Sequence, residues 1–204
     1  DSDFEDDSKG TYPSNLPLLP LRNTVLFPGV VFPVTVGRDK SIKLIEDAYK
    51  ADKIIGVIAQ KDQDIEDPNA NDLYKTGTLG HILKMLKMPD GNITAIVQGK
   101  RKFELEAITQ ELPYFRGDIT AVTDGKAKKG KETNATIDSI RELASSIIEQ
   151  SPNIPSEANF ALKNINSPNF LVNFISSNLN VSVDDKQEIL ELDTFKNKAN
   201  RVLG

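Results

Sequence analysis

The sequence predicts an α+β protein in which a mostly antiparallel β-barrel with one helix is followed by a helical bundle. Three observations lead to this prediction. Up to residue 124, short β-prone runs alternate with proline, glycine and polar turns. Within that part, one segment (37–52) has the periodicity of a helix, and after residue 134 helical periodicity is all that remains.

The first β-prone segment is LPLLPLRNTVLFPGVVFPVTV, residues 16–36, the most apolar stretch of the chain. A membrane-spanning helix needs about 20 predominantly apolar residues, and here Arg22 and Asn23 interrupt the run. Proline in strands is confined to edges, first positions and bulges, and this segment contains four prolines. We therefore expect two or three short strands bent at the prolines, with Pro28 and Gly29 forming a turn.

The helix of the β-rich part follows directly. Four apolar residues recur there at helical spacing, with charges elsewhere: Ile42, Ile45, Ala48 and Tyr49. The segment KIIGVIAQK, residues 53–61, then predicts a short buried strand, and residues 62–77 read as a polar loop.

The remaining strands are indicated by their turns. Asp90-Gly91 lies between two β-prone runs, which is the usual sign of a hairpin. A further strand pair is predicted near Gly99, and residues 114–122 predict the last strand. This mixed order of strands and one helix suggests a small closed or half-closed barrel.

Composition and charge divide the chain into four segments. DSDFEDDSKG, at the start, has five acids and one base, a net charge of −4, which leaves −1 for the rest of a chain of formal net charge −5. So acidic a segment, with one aromatic residue, cannot bury enough apolar surface to become ordered. The sequence therefore predicts a disordered acidic tail (1–13), a β-rich part (14–124), a polar linker (125–133) and a helical part (134–204).

Local signals mark the helix starts of the helical part. Ser167 followed by Pro168 is typical of a helix N-terminus. Ser182, with Asp185 three positions later, resembles a capping box. Asp193 is the predicted cap of the last helix.

The composition excludes several kinds of chemistry. Because the chain has no cysteine, it has no disulfide, thiolate ligand or cysteine nucleophile. Because it has one histidine, His81, it has no histidine-based metal cluster. KDQDIEDPNAND suggests a calcium loop, but Asp67 occupies the expected glycine position and Leu73 the closing glutamate. The phosphate-binding motif G-x-x-x-x-G-K-[ST] does not occur. We assign no catalytic, cofactor-binding or metal-ligating residue.

Three ordered segments resemble one family, the ATP-dependent protease Lon, in its bacterial N-terminal domain. They are LPLLPLRNTVLFPGVVFPVTVGR, then GTLGHILKMLKMPDGNITAIVQGKRKFEL, then NFLVNFISSNLNVSVDDKQEILELDTFKNKANRVL. The resemblance spans roughly residues 14–203. It implies a PUA-like barrel followed by a helical bundle that leads into an ATPase module and a protease module. The ATP, the Mg²⁺ and the Ser-Lys dyad of the family belong to those modules, which lie outside this chain.

The resemblance also implies a function. It implies recognition of misfolded, damaged and tagged short-lived regulatory proteins, assembly as a homohexamer, and a cytoplasmic location without a membrane partner. This chain would then have no enzymatic activity of its own. Two alternatives stay open: a stand-alone PUA-like adaptor, and an RNA-binding module. The near-neutral body argues against the latter, since nucleic-acid binding requires a clustered basic surface.

Candidate contacts with client proteins come from two apolar stretches. We expect Leu26, Phe27 and Pro28 to be exposed, because a proline–glycine turn pushes its neighbours outward, and exposed apolar area suits the capture of unfolded chains. Met85 and Met88 lie on one hairpin arm, and methionine is favoured on promiscuous binding surfaces. Because they are three residues apart, we expect one in the core and the other on the surface.

Overall fold

The computed structural model describes residues 12–122, 129–152 and 167–204. Most of the predicted acidic tail and much of the predicted linker lie outside the described residues. The chain divides into two compact units on either side of residues 123 and 124, and each is described by itself.

The first unit is a barrel of six strands: β1 (Asn15–Leu21), β2 (Val31–Val36), β3 (Ile54–Ala59), β4 (Thr76–Lys87), β5 (Ile93–Gln110) and β6 (Arg116–Val122). Their order in the sheet is β2-β5-β4-β3-β1-β6, and β5 also pairs with β6, which closes the barrel. β1 and β3 are parallel, whereas the other pairs are antiparallel. The predicted mostly antiparallel barrel is confirmed.

Strand β5 is the structural centre of the barrel. Its first half pairs with β2 and β4, and its second half pairs with β4 and β6. The sequence predicts a strand pair near Gly99, but a single strand continues through this glycine. The glycine at position 99 permits a close contact with the backbone of Phe27.

The helix of the barrel unit, α1 (Asp39–Lys50), packs its apolar side on the sheet. Leu44, Ile45 and Ala48 are buried in one core with residues of β1 to β5. A second core surrounds Phe103. A Cβ at residue 77 would lie 2.6 Å from the Phe103 ring, so glycine at this position makes room for the phenylalanine.

The second unit contains four described helices: α2 (Lys131–Gln150), α3 (Pro168–Asn178), α4 (Val183–Glu191) and α5 (Phe195–Leu203). Apolar residues of α2, α3 and α5 form its core. α2 begins within the predicted linker, three residues before the predicted start of the helical part. None of the helices in the described ranges is long and apolar enough to cross a membrane.

Two of the three helix N-caps predicted for this unit are confirmed. The Ser167 hydroxyl accepts a hydrogen bond from the Phe170 backbone N–H at 3.2 Å. Ser182 likewise caps α4. For α5, the predicted cap Asp193 is wrong by one residue: Thr194 is the cap, and its hydroxyl accepts from Asn197 N at 3.2 Å.

Candidate functional site: an apolar face on the barrel

The proline–glycine turn is folded against the barrel. Phe27 is 0% exposed and Leu26 is 2% exposed, and Pro28 is half-buried. The prediction that Leu26 and Phe27 are exposed at a turn tip is therefore wrong. They belong to the interior of the barrel unit, so they cannot bind a client without unfolding.

Hydrogen bonds with the backbone of β5 and with a side chain of β4 fix this turn against the barrel. Gly29 N donates to Gly99 O at 2.9 Å, and Gly99 N donates to Val30 O at 2.8 Å. The buried Thr78 hydroxyl donates to Leu26 O at 2.7 Å. A Cβ at residue 99 would lie 2.3 Å from Phe27 O, so a glycine there permits the close approach.

The two methionines separate as predicted. Met85 is half-buried and packs against the core beneath the sheet. Met88 is exposed at the end of the hairpin, where its N–H donates to Asn92 O at 2.8 Å. Of the two, it is Met88, just beyond the end of β4, that is exposed. Whether either methionine contacts a client stays a prediction.

Met88 belongs to a larger surface on the outer side of β2, β5 and β4. Pro33 pairs with Ile96, and Ile96 with Lys84. One row further, the Thr35 and Thr94 hydroxyls are hydrogen-bonded at 2.9 Å, which shows that these side chains share a side of the sheet. We name this surface the apolar face, after its apolar members Val31, Pro33, Leu83, Leu86, Met88 and Ile96.

Exposed apolar side chains are concentrated on this face. Among the described residues, seven large hydrophobic side chains are exposed, and four of them belong to the apolar face: Val31 (47%), Leu83 (45%), Leu86 (41%) and Met88 (42%). The largest exposure outside it is that of Leu112, at 71%, just beyond the far end of β5. A contiguous exposed apolar patch is the signal of an interaction surface, whereas single exposed apolar residues are ordinary.

A β-bulge adds Leu83 to the face. The register of β4 and β5 shifts between Ile82 and Lys84, so that Leu83 is the extra residue. Ile82 is fully buried, while Leu83 and Lys84 are both exposed. A bulge re-aims side chains in this way at edges and binding sites, and no pattern in the sequence reveals it.

The face is supported from below by a packed core. Val34, Ala95 and Val97 alternate with the outward residues and are buried against α1. β2 is the last strand on its side of the sheet. Because proline has no N–H, Pro33 removes a donor from this edge strand and discourages the addition of another strand. The geometry therefore offers side chains on a rigid surface rather than a backbone edge.

A cavity of about 610 Å³ lies beside the start of α1. Its apolar lining includes Leu18, Leu44 and Phe115, while its charged lining has three bases and three acids: Arg22, Arg38, Lys40, Asp39, Glu66 and Asp67. Lys40 is paired with Asp67 at 2.9 Å. Burial, and then the neighbouring Arg22, lower the pKa of Arg38. The balanced charges give the cavity no clear preference for an anion or a cation.

The basic cluster of the barrel is engaged within the fold. Lys100, Arg101 and Lys102 each have an interaction within the protein, and Lys102 is buried. In the described ranges, no group of three or more acidic or histidine side chains is arranged to hold a metal ion. Half of the other basic cluster, KAKKGK, residues 126–131, lies outside the described residues.

The fold, a closed barrel followed by a helical unit, is that of the N-terminal domains of Lon proteases. The N-terminal domain of a Mycobacterium avium complex Lon protease matches with a TM-score of 0.71 at 18% identity, covering 93% of this chain and 96% of that chain. A Lon N-terminal domain protein from Xanthomonas campestris matches with a TM-score of 0.66 at 16% identity, covering 94% and 98%. At such identities the likeness establishes the fold alone.

The sequence establishes the family. The chain belongs to the family described as the ATP-dependent protease La (LON) substrate-binding domain, whose profile matches residues 15–204. It is 52% identical over 198 residues to the Lon protease of Flavobacterium johnsoniae and 45% identical over 196 residues to that of Cytophaga hutchinsonii. These alignments cover 97% and 96% of this chain but 24% of each relative. The chain thus spans about a quarter of their length, and the predicted family is confirmed.

Proposed function

We propose that this chain is the substrate-recognition part of an ATP-dependent Lon-type protease, and that it captures unfolded or damaged proteins on the apolar face. The observation that carries the proposal is the concentration of exposed apolar side chains on one hydrogen-bonded, three-stranded surface. Unfolded proteins differ from folded ones chiefly in the apolar side chains that they expose. A surface that offers complementary apolar area selects them without reading a particular sequence.

The chemistry of degradation is assigned to other modules of the longer protein. This chain has no phosphate loop, and its described residues form no metal cluster, so they do not fit ATP and Mg²⁺. We therefore assign no step of ATP hydrolysis or peptide hydrolysis to its side chains. Its part in the cycle is to bind the client and hold it near the assembly, which we place in the cytoplasm.

Assembly explains how a weak surface can be sufficient. One face of this size binds an extended segment with low affinity, because ordering a flexible client costs conformational entropy. Several copies in one hexamer convert the second contact into an intramolecular one, and the overall affinity rises by orders of magnitude. A single chain should therefore bind weakly, whereas the hexamer of the longer protein should bind well.

Replacing apolar residues of the face tests the proposal. The probe is an extended, uncharged peptide of alternating leucine and serine, labelled with tetramethylrhodamine and followed by fluorescence anisotropy. The double variant Val31→Ser, Leu86→Ser should weaken binding by about tenfold or more, since each side chain loses roughly 1 kcal/mol of apolar burial. Its thermal unfolding should stay close to that of the parent, because both side chains are exposed.

Leu112→Ser provides the matched control, because Leu112 is more exposed than the two side chains replaced in the double variant but lies outside the face. This variant should bind the peptide like the parent chain. An equal loss of affinity in both variants would mean that the peptide binds through nonspecific hydrophobic contacts. An unchanged affinity of the double variant would mean that clients bind elsewhere.

A further inference from the structure

Acidic side chains are missing from the strand segments that build the apolar face. The chain contains 30 aspartate and glutamate residues, yet none lies in VFPVTV (31–36), HILKMLKM (81–88) or ITAIVQ (93–98). The acid nearest to these segments along the chain, Asp90, lies in the hairpin turn. Its carboxylate accepts hydrogen bonds from Asn92 N at 3.0 Å and from the Asn92 side chain at 3.2 Å.

The lysine of this face is exposed and uncompensated. Lys84 lies in the row of Pro33 and Ile96, beside the exposed Leu83. It forms no ion pair with a side chain in the part of the chain that the structure describes. On α1, by contrast, Lys40 and Lys43 are paired with aspartates at 2.9 and 3.0 Å.

A client that covers this face brings its own charges close to Lys84. Covering apolar surface removes water, and a charge pair at the rim is then less screened than one in open solution. An acidic side chain of the client gains a partner there, whereas a basic one meets only like charge. Arranging charges of one sign around an apolar contact both favours one class of partner and rejects the other.

We infer that the apolar face selects extended segments in which apolar residues are interspersed with aspartate or glutamate, and discriminates against segments with lysine or arginine. This inference rests on the proposed function, because it assigns a charge preference to the same site. In an extended client, alternate side chains point the same way at about 7 Å intervals. An acid whose apolar anchors stand two residues before and two residues after it can therefore lie over Lys84 while these anchors cover Leu83 and Leu86.

Three peptides of one design test the inference. Each has serine at every second position and leucine at the others, except that two central leucines are replaced by serine in the first peptide, by aspartate in the second and by lysine in the third. These two residues then point the same way as the remaining leucines. With the unmodified chain at low salt, the aspartate peptide should bind roughly fivefold more tightly than the lysine peptide, as expected for one partly exposed charge pair that is attractive in one case and repulsive in the other. High salt should reduce the ratio towards one.

Reversing one charge should reverse the order. Lys84→Glu should bind the lysine peptide more tightly than the aspartate peptide, while it leaves the binding of the serine peptide nearly unchanged. Lys50→Glu is the matched control, because Lys50 is an exposed lysine of α1, which packs on the opposite side of the sheet. The control should retain the order of the parent, so that a change of net charge alone is not the cause.

The outcomes separate the two proposals. If the serine peptide binds and the Val31→Ser, Leu86→Ser variant loses it, but the two charged peptides bind equally, the charge preference is overturned and the proposed function stands. If none of the peptides depends on Val31 and Leu86, the proposed function fails as well. Self-association of the chain that the same double variant abolishes would assign the face to a second copy and would overturn the inference.

Discussion

Two apolar segments of the barrel unit look alike in sequence and differ in the structure. VLFPGV, residues 25–30, and LKMLKM, residues 83–88, each carry large apolar side chains close to a turn. In the first, Leu26 and Phe27 are buried, whereas in the second Leu83, Leu86 and Met88 are exposed. An apolar side chain beside a turn therefore does not by itself decide burial. The difference comes from what the rest of the barrel places against each segment: Gly99 and Thr78 in one case, and solvent in the other.

The largest difference between the two segments is expected when one side chain in each is truncated. Phe27→Ala should reduce the free energy of unfolding by about 3–5 kcal/mol, because it opens a cavity in a packed interior. Leu86→Ala should change it by about 0.5 kcal/mol or less, since the side chain is exposed. Urea denaturation of both variants measures the two values. Similar losses in the two variants would contradict the burial assigned to the first segment.

The next effect tests the contact that holds the turn down. Gly99→Ala should reduce the free energy of unfolding by about 1–3 kcal/mol, the usual range for overpacking. The added methyl group would lie 2.3 Å from Phe27 O, so the turn must move. Amide hydrogen exchange should then be faster at Gly29 and Val30, while the exchange of α5 stays unchanged. Unchanged exchange in the turn would show that the backbone contact does not hold it.

A smaller effect is expected at the buried hydroxyl next to the same turn. Thr78→Val keeps the shape of the side chain but leaves Leu26 O without its donor, 2.7 Å away in the parent. An unsatisfied buried carbonyl costs roughly 1–3 kcal/mol, and the lower part of this range is expected here because the turn can relax. Thermal unfolding measures the loss. Thr35→Val is the matched control, because the Thr35 hydroxyl bonds to Thr94 on the exposed face.

The smallest effect on stability is expected at Asp47 of α1, whose carboxylate is partly exposed. Asp47 accepts hydrogen bonds from Lys43 and from the Tyr114 hydroxyl, each at 3.0 Å. The Lys43 hydrogen bond is the main cause that lowers the pKa of Asp47 below its ordinary value of 3.8. Because the folded-state pKa is lowered, the contribution to stability is present above 3.8 and disappears as the pH falls through the folded-state value.

The variant Asp47→Asn tests this sign. It should be slightly less stable than the parent at neutral pH. The difference should vanish in acid, where the Asp47 carboxyl group is protonated in both the folded and the unfolded protein. Urea denaturation across the acid range measures it. A difference that grows as the pH falls would contradict the assigned direction of the pKa shift.

Local features were predictable because their physical causes are local. The Ser167 and Ser182 caps depend on a hydroxyl that satisfies an N–H three residues later, and both are present. The Asp90-Gly91 hairpin likewise follows from a backbone with positive φ at Gly91, which glycine permits. The misplaced cap at Asp193 shows the limit, because two adjacent residues can each cap and the final backbone path decides between them.

The candidate site was predictable in part. Met88 was among the predicted contacts and lies on the apolar face, whereas Val31, Leu83 and Leu86 were missed. The alternation in β4 and the lack of acids in three strand segments were visible signals. The bulge at Leu83 was not, because a register shift depends on the pairing of β4 with β5 rather than on either strand alone.

By itself, the sequence determined the α+β class, the family, the positions of most strands and helices, and the charge of each segment. These follow from periodicity, turn chemistry and composition, which act over a few residues. Only the tertiary structure decided that Phe27 is core, that Gly99 serves a contact instead of a turn, and that one side of the β2, β5 and β4 strands is left uncovered. Burial is set by contacts between residues far apart in the chain, such as Phe27 and Gly99, and no local pattern contains them.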